Sequence, residues 1–309
     1  MKTNDMQQEP SGVLIIDKPA GMTSHDVVGK IRRLYGTRRV GHTGTLDPMA
    51  TGVLVILIGR TAKACEYLAA DAKRYEATLR LGLTTDTEDV TGTLLARSEK
   101  LPTQQEFFAV LPQFRGKIQQ IPPMYSALKV NGQKLVDLAR QGVTVERKPR
   151  EIEIFELDAQ PTEAASDYLL SVKCSGGTYI RTLCADIGAA LGCGAVMATL
   201  RRTQTSCFSI ENAHTLAEIE EMTAEERLSL LYSTETLFVG LDAVRLPEFY
   251  ERLCRSGCEI YLKKLGNPKL SVGQRLRLWD HDGNFFALGE VREYENGLAI
   301  KAIKTFALD

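Results

Sequence analysis

Several ingredients of common protein classes are missing from this 309-residue chain. The longest useful apolar run, 53–58, is far shorter than the roughly 20 residues a membrane-spanning helix needs. Residues 1–11 are polar and lack the apolar stretch of a secretory leader. The seven cysteines are odd in number and scattered, which argues against a disulfide framework and for a reducing cytoplasm. There is no Gly-x-x-x-x-Gly-Lys-[Ser/Thr] phosphate cradle and no Rossmann fingerprint. There is no Gly-x-Ser-x-Gly elbow and no His-Glu-x-x-His. Cys254 and Cys258 are four apart, with no second Cys or His pair at metal spacing, so no metal site is expected. Repeats and low-complexity tracts are also missing.

What is present is ordinary in bulk and uneven in detail. Hydrophobic residues make up 44% and charged residues 25%, the values of a folded globular chain. The 38 basic and 39 acidic residues nearly cancel, but they are not mixed. Residues 29–40 hold Lys30, Arg32, Arg33, Arg38 and Arg39 and no acid. Residues 115–150 hold eight basic residues against Asp137 and Glu146. Residues 211–226 carry six glutamates and no Lys or Arg. Charge alone leaves two solvated faces and a nucleic-acid surface equally open.

Periodicity predicts strands at 13–16, 53–58, 75–81, 152–157, 168–174 and 196–202. It predicts helices at about 24–35, 60–68, 103–112, 133–141, 178–191 and 214–232. This mixture lacks strict strand–helix alternation and favours α+β over a doubly wound sheet. A boundary is expected near residue 245. Beyond it a short helix (249–255) precedes small strands at 275–279, 285–291 and 298–304, with Asp282-Gly283 and Asn296-Gly297 at hairpin positions.

The loop Gly41-His42-Thr43-Gly44-Thr45-Leu46-Asp47-Pro48-Met49-Ala50-Thr51-Gly52 is the most informative stretch. Pro48 forces Asp47 out of helical conformation and presents its carboxylate from an extended or turn backbone. Such a group can be a nucleophile, a base or simply a turn cap, and the loop alone leaves these open. His42 and Tyr75, taken singly, read more readily as structural residues than as catalytic ones.

The motifs in sequence order narrow the choice. They are Leu14-Ile15-Ile16-Asp17-Lys18-Pro19-Ala20-Gly21-Met22-Thr23-Ser24, then Gly41 to Pro48, then Lys73-Arg74-Tyr75-Glu76-Ala77 running to Leu81-Gly82-Leu83-Thr84-Thr85-Asp86-Thr87-Glu88-Asp89. Pro122-Pro123-Met124-Tyr125-Ser126-Ala127-Leu128-Lys129, Gly177-Thr178-Tyr179-Ile180-Arg181-Thr182-Leu183 and Leu200-Arg201-Arg202 follow. In this order they resemble the bacterial tRNA pseudouridine-55 synthases, the TruB family, strongly over residues 12–210 and weakly beyond.

The resemblance implies an α+β pseudouridine synthase fold around a mixed, mostly antiparallel sheet. It implies a flexible N-terminus (1–11), a catalytic domain (12–244) with an RNA-gripping insertion at about 124–152, and a β-rich PUA-like RNA-binding module (245–309). It implies isomerisation of uridine-55 in the T-arm loop of tRNA, with no cofactor and no metal. Asp47 would be the nucleophile, and Arg181 would hold it ionised and aimed. Tyr75 would stack on the base and stands as the candidate acceptor of the carbon-5 proton. Tyr179 and Leu200 would complete the pocket, His42 would hold the flipped nucleotide, and Lys18 would support the site. Arg32, Arg33, Arg38, Arg39, Lys129, Lys134 and Arg140 are candidate contacts to the RNA backbone, inferred from charge. The partner is tRNA; a monomer in the cytoplasm, with no protein partner required, is expected. The alternative is a tRNA-binding chaperone that refolds the elbow without catalysis. Two departures from the family pattern are Val136, where an aromatic is common, and Ser206-Cys207-Phe208, where a glycine often precedes the phenylalanine.

Overall fold

The computed structural model describes residues 9–68, 72–130 and 132–306. Of the expected flexible segment, residues 1–8 lie outside the described residues. Glu9 is tied down by the Thr37 hydroxyl at 2.7 Å and by Arg39 at 2.8 Å.

The first elements are β1 (Gly12–Lys18), α1 (Ser24–Leu34), β2 (Val40–His42) and β3 (Thr51–Ile58). Thr23 starts α1 through a capping box with Asp26, and the apolar Val27, Val28 and Ile31 face inward. A 3₁₀ segment, Gly59–Tyr67, stands where an α-helix is expected. Thr61, Ala64 and Tyr67 turn toward the core at three-residue spacing, the repeat of a 3₁₀ winding. β4 (Lys73–Leu81), β5 (Leu83–Thr85), β6 (Leu94–Arg97), α2 (Gln104–Val110) and β7 (Gly116–Gln120) follow.

The insertion holds β8 (Lys129–Val130), β9 (Gln133–Lys134) and α3 (Leu135–Arg140). The helix expected from 133 therefore begins two residues later, because Gln133 and Lys134 pair with β8. Then come β10 (Arg150–Pro161), β11 (Asp167–Cys174), α4 (Ile180–Ala190), β12 (Ala195–Thr205), β13 (Phe208–Ser209) and β14 (His214–Thr215). The expected single helix at 214–232 is two, α5 (Leu216–Glu221) and α6 (Ala224–Ser229). Each begins at its own capping box, Thr215 with Glu218 and Thr223 with Glu226, so the second threonine ends one helix and starts the next.

Ten strands form the large sheet among the described residues, in the order β14-β1-β3-β12-β4-β11-β10-β7, with β2 beside β3 and β13 beside β12. β1 pairs with β14 and β3 with β12 in parallel, and the other pairs are antiparallel. On one face Leu14, Ile16, Leu54 and Ile56 pack with α1, α2, α4 and α5. On the other, Val13, Ile15, Val53, Val55 and Leu57 pack with Phe208, Phe238, Leu288 and Phe306. Successive strand residues point to opposite faces. With both faces covered, 53–58 can be apolar throughout rather than alternating.

A five-stranded sheet lies at the C-terminal end: β15 (Ala243–Arg245), β16 (Ile260–Tyr261), β17 (Arg275–Trp279), β18 (Phe285–Tyr294) and β19 (Gly297–Thr305), with α7 (Glu248–Arg255). Its first strand begins at Ala243, two residues before the expected boundary, and pairs with β17. Phe238 meets Phe306 at 5.8 Å and Phe285 at 6.0 Å between ring centroids. Trp279 Nε1 and Arg277 Nη1 donate to one Glu235 oxygen at 2.7 and 2.8 Å. The module thus seals the back of the large sheet and leaves the opposite side for the site.

Candidate active site

Asp47 stands on the turn between β2 and β3, and its loop is fastened from three directions. From β1 and its following turn, Lys18 Nζ donates to the carbonyls of Pro19 (2.8 Å), Met22 (2.6 Å) and Pro48 (3.3 Å). Gly21 N–H also donates to the Pro48 carbonyl at 2.8 Å. From α1, the Ser24 hydroxyl accepts the Leu46 N–H at 2.9 Å and donates to the Leu46 carbonyl at 3.2 Å. From β12, Arg202 donates Nε to Val53 O (2.7 Å), Nη2 to Gly44 O (3.0 Å) and Nη1 to Thr45 O (3.4 Å). The loop closes at Gly52, with φ +98°. A Cβ there would stand 2.2 Å from the Arg202 carbonyl oxygen, so only glycine fits.

Arg181 comes from the first turn of α4. The Gln120 side chain sets that turn, accepting the Tyr179 N–H at 2.8 Å and donating to the Tyr179 carbonyl at 3.1 Å. Arg181 Nε meets Asp47 Oδ2 at 2.9 Å, and Nη2 reaches Oδ1 at 3.4 Å. The remaining donors go to Thr87 O (3.0 Å) and Tyr125 O (2.8 Å). Asp89 Oδ2 lies 3.8 Å from Arg181 Nη1. Asp89 Oδ1 is itself occupied by Thr87 Oγ1, Thr91 N and Thr91 Oγ1 at 2.8, 2.9 and 2.6 Å. The arginine is buried, whereas a third of the Asp47 side chain still meets solvent (side-chain exposure 6% against 34%).

Burial raises the Asp47 pKa, Arg181 pulls it down, and Asp89 raises it again; the balance lies above the ordinary carboxylate value. The Arg181 guanidinium, 2.9 Å from the carboxylate, opposes that rise.

The other expected residues are placed as follows. Tyr75 is buried on β4 beside Arg202, its partner in the β4–β12 register. Burial raises its phenol pKa, against an opposing pull from the Arg202 guanidinium, and the Asp47 charge is also felt there. Tyr179 caps α4, and burial raises its phenol too. Leu200 lies opposite Ala77, buried in the main core. His42 ends β2, and burial together with Arg202 and His25 lowers its pKa. Its Nδ1 is buried without a partner among the described residues. Lys18 is wholly buried, and desolvation brings it down to about 8.

The expected RNA contacts divide into two groups. Arg33, Arg38 and Arg39 are exposed at the end of α1 and in the turn after it, with Arg39 held by Glu9. Arg32 departs from them: it is half-buried, and its Nη2 closes onto the Val40 carbonyl at 3.1 Å, so part of its role is structural. Lys129, Lys134 and Arg140 are exposed on the β8–β9–α3 excursion, and the two lysines face each other in register.

Arg202, Ser24, Gln120 and Asp89 were not singled out by residue type or spacing. Ser24, Asp89 and Arg202 lie inside the quoted motifs, and one signal is available: alternation along β12 puts Arg202 on the same buried side as Leu200. Of the two departures, Val136 lies half-buried in α3 and donates its N–H to the Ser126 carbonyl at 3.1 Å. Ser206 sits at φ +54° in the two-residue connection between β12 and β13, a conformation that favours glycine.

Comparison with known proteins places the chain in a family. Residues 32–180 match the TruB family pseudouridylate synthase N-terminal domain, and residues 181–239 match the tRNA pseudouridylate synthase B C-terminal domain. A protein of Francisella philomiragia named tRNA pseudouridine synthase B is 42% identical over 283 residues, 91% of each chain. One of Syntrophotalea carbinolica with the same name is 50% identical over 224 residues, 72% of this chain and 73% of its own. Among solved structures, one from a Cbf5-Nop10-Gar1 complex shares the fold at a TM-score of 0.71 and 24% identity, covering 96% of this chain and 85% of its own. The chain belongs to the TruB family of pseudouridylate synthases.

Proposed function

We propose that this chain isomerises uridine to pseudouridine in tRNA, that the target is uridine-55 of the T-arm loop, and that Asp47 is the nucleophile. The observation that carries the reading is the Asp47–Arg181 pair: a carboxylate on a rigid turn, open to solvent on one side and aimed by a buried guanidinium at 2.9 Å. A protein that only refolds RNA has no use for so costly a pair.

The reaction breaks the bond between N1 and C1′, turns the base and joins carbon 5 to C1′. Carbon 5 gives up its proton and N1 gains one, so nothing is oxidised or hydrolysed and protein side chains suffice. Asp47 attacks either the base or the ribose. The target must leave its stack, and the pocket repays that cost of a few kcal/mol. Tyr75 offers its ring to the base; burial keeps the phenol protonated in the free protein, so the ring rather than the oxygen is ready first. Leu200 keeps water out, Tyr179 forms a wall, and neutral His42 steadies the nucleotide. Lys18 holds the Pro48 carbonyl in place and takes no part in bond making.

Arg33, Arg38, Arg39, Lys129, Lys134 and Arg140 meet phosphates of the looped RNA. The β module from Ala243 onward, PUA-like in this reading, adds a further RNA surface. A monomer in the cytoplasm completes the proposal, in keeping with seven free thiols.

The test uses a tRNA transcript tritiated at carbon 5 of its uridines, incubated with the protein in EDTA. The expected result is about one equivalent of tritium released per tRNA, lost in Asp47→Asn while tRNA affinity is retained. Tight binding with no release defeats the isomerase reading for this RNA and favours the chaperone.

A further inference from the structure

Arg202 is the largest fully buried side chain among the described residues, at 1% exposure. A guanidinium so placed needs acceptors for its donors, and those it reaches are neutral carbonyls: Val53, Gly44 and Thr45. Burying a charge without a paired anion is a costly arrangement, which a strand interior would avoid if only packing mattered. The acceptors lie on both sides of Asp47 along the chain, Gly44 and Thr45 before the carboxylate and Val53 after it. Tyr75 is its cross-strand neighbour on the same face of the sheet, and the guanidinium charge is felt at the Tyr75 phenol. The nucleophile's backbone and the stacking ring therefore share one rigid cation.

We propose that Arg202 is a positioning residue for uridine isomerisation, fixing the Gly44–Thr45 backbone that carries Asp47 and the Tyr75 hydroxyl in a single register. The proposal rests on the isomerase reading above. Arg202 touches neither base nor ribose; it sets the separation between the group that attacks and the ring on which the base lies. The groups felt at the Tyr75 oxygen are Arg202, Cys174 and Asp47, and Arg202 is the cation among them. Lysine keeps the charge but presents a single nitrogen, which cannot span Val53, Gly44 and Thr45 together.

Two measurements test this. The first is kinetic. Arg202→Lys lowers kcat by about 10–100-fold with KM for tRNA changed less than about twofold. In a Tyr75→Phe background the same change lowers kcat by a clearly smaller factor, because the part of the register shared with Tyr75 is already lost while the hold on the Asp47 loop remains to be lost. A loss confined to KM, or an equal loss in both backgrounds, overturns the proposal. The second needs no Arg202 variant. The Arg202 guanidinium NMR signals are compared in the unmodified protein and in Tyr75→Phe. A clear shift supports the shared register, and unchanged signals overturn it, even if Arg202→Lys fails to fold. Wild-type protein that makes no pseudouridine defeats the isomerase reading instead, an outcome separable from both.

Discussion

Arg181 stands between two carboxylates of unequal rank, 2.9 Å from Asp47 and 3.8 Å from Asp89. Two backbone carbonyls, of Thr87 and Tyr125, take its remaining donors. Lysine cannot reproduce that fork. Arg181→Lys is expected to lower kcat by about 100–1,000-fold, the scale of losing one preorganised electrostatic contact. Single-turnover tritium release with saturating tRNA checks it. A loss under about threefold removes Arg181 from the mechanism.

Lys18 carries a pH dependence with a definite sign. Burial lowers its pKa from 10.5 to about 8 in the folded chain. Between those values the unfolded chain binds more protons, so this group makes the protein more stable as pH rises from about 8 to 10.5. Below pH 8 both states are charged and its full cost is present. The span of 10.5 − 8 = 2.5 units bounds the gain at about 3 kcal/mol. Buried thiols push the other way: Cys174 and Cys254 are raised to about 11. The difference between wild type and Lys18→Met isolates the lysine. Denaturant unfolding at pH 7.5 and 10 is expected to show that difference moving in favour of wild type at the higher pH.

Ser206 holds a left-handed backbone at φ +54° in a two-residue hairpin loop. Glycine adopts that conformation without the steric cost. Ser206→Gly is expected to stabilise the chain by about 0.5–1 kcal/mol, part of the gain being offset by a looser unfolded state. Activity should not change. Equilibrium unfolding reads the first outcome and tritium release the second.

Lys129 and Lys134 stand opposite each other in the β8–β9 hairpin. Like charges across a strand pair destabilise it, so the pair needs a reason outside the free protein. RNA phosphate supplies one. Replacing both by glutamine is expected to weaken tRNA binding and flatten the log–log salt dependence by about 1–2 units. Binding measured across a salt series decides it; an unchanged slope places these lysines away from the RNA.

Much of this was legible in the order of residues. The strands at 13–16, 53–58 and 75–81 follow from their periods, and α1 from Thr23 and its inward valines. The chemistry of the Gly41–Gly52 loop was narrowed by motifs in a set order, not by any one of them. What escaped has a common physical character. The 3₁₀ segment at Gly59–Tyr67 and the break between α5 and α6 depend on which side of a short segment meets the core.

By itself the sequence determined the alternation of buried and exposed positions, the placing of glycine where a side chain would collide, and the family. These are local properties: a period, a cap or a motif reads the same before and after folding. Tertiary structure alone decided the balance of charge in the site. Asp47 lies far along the chain from both Arg181 and Arg202, and its proton affinity depends on how much water the closed fold removes. Burial lifts it, Arg181 lowers it and Asp89 lifts it again. Coulomb and desolvation energies depend on distances through space and on the surrounding dielectric, and neither is written in residue order.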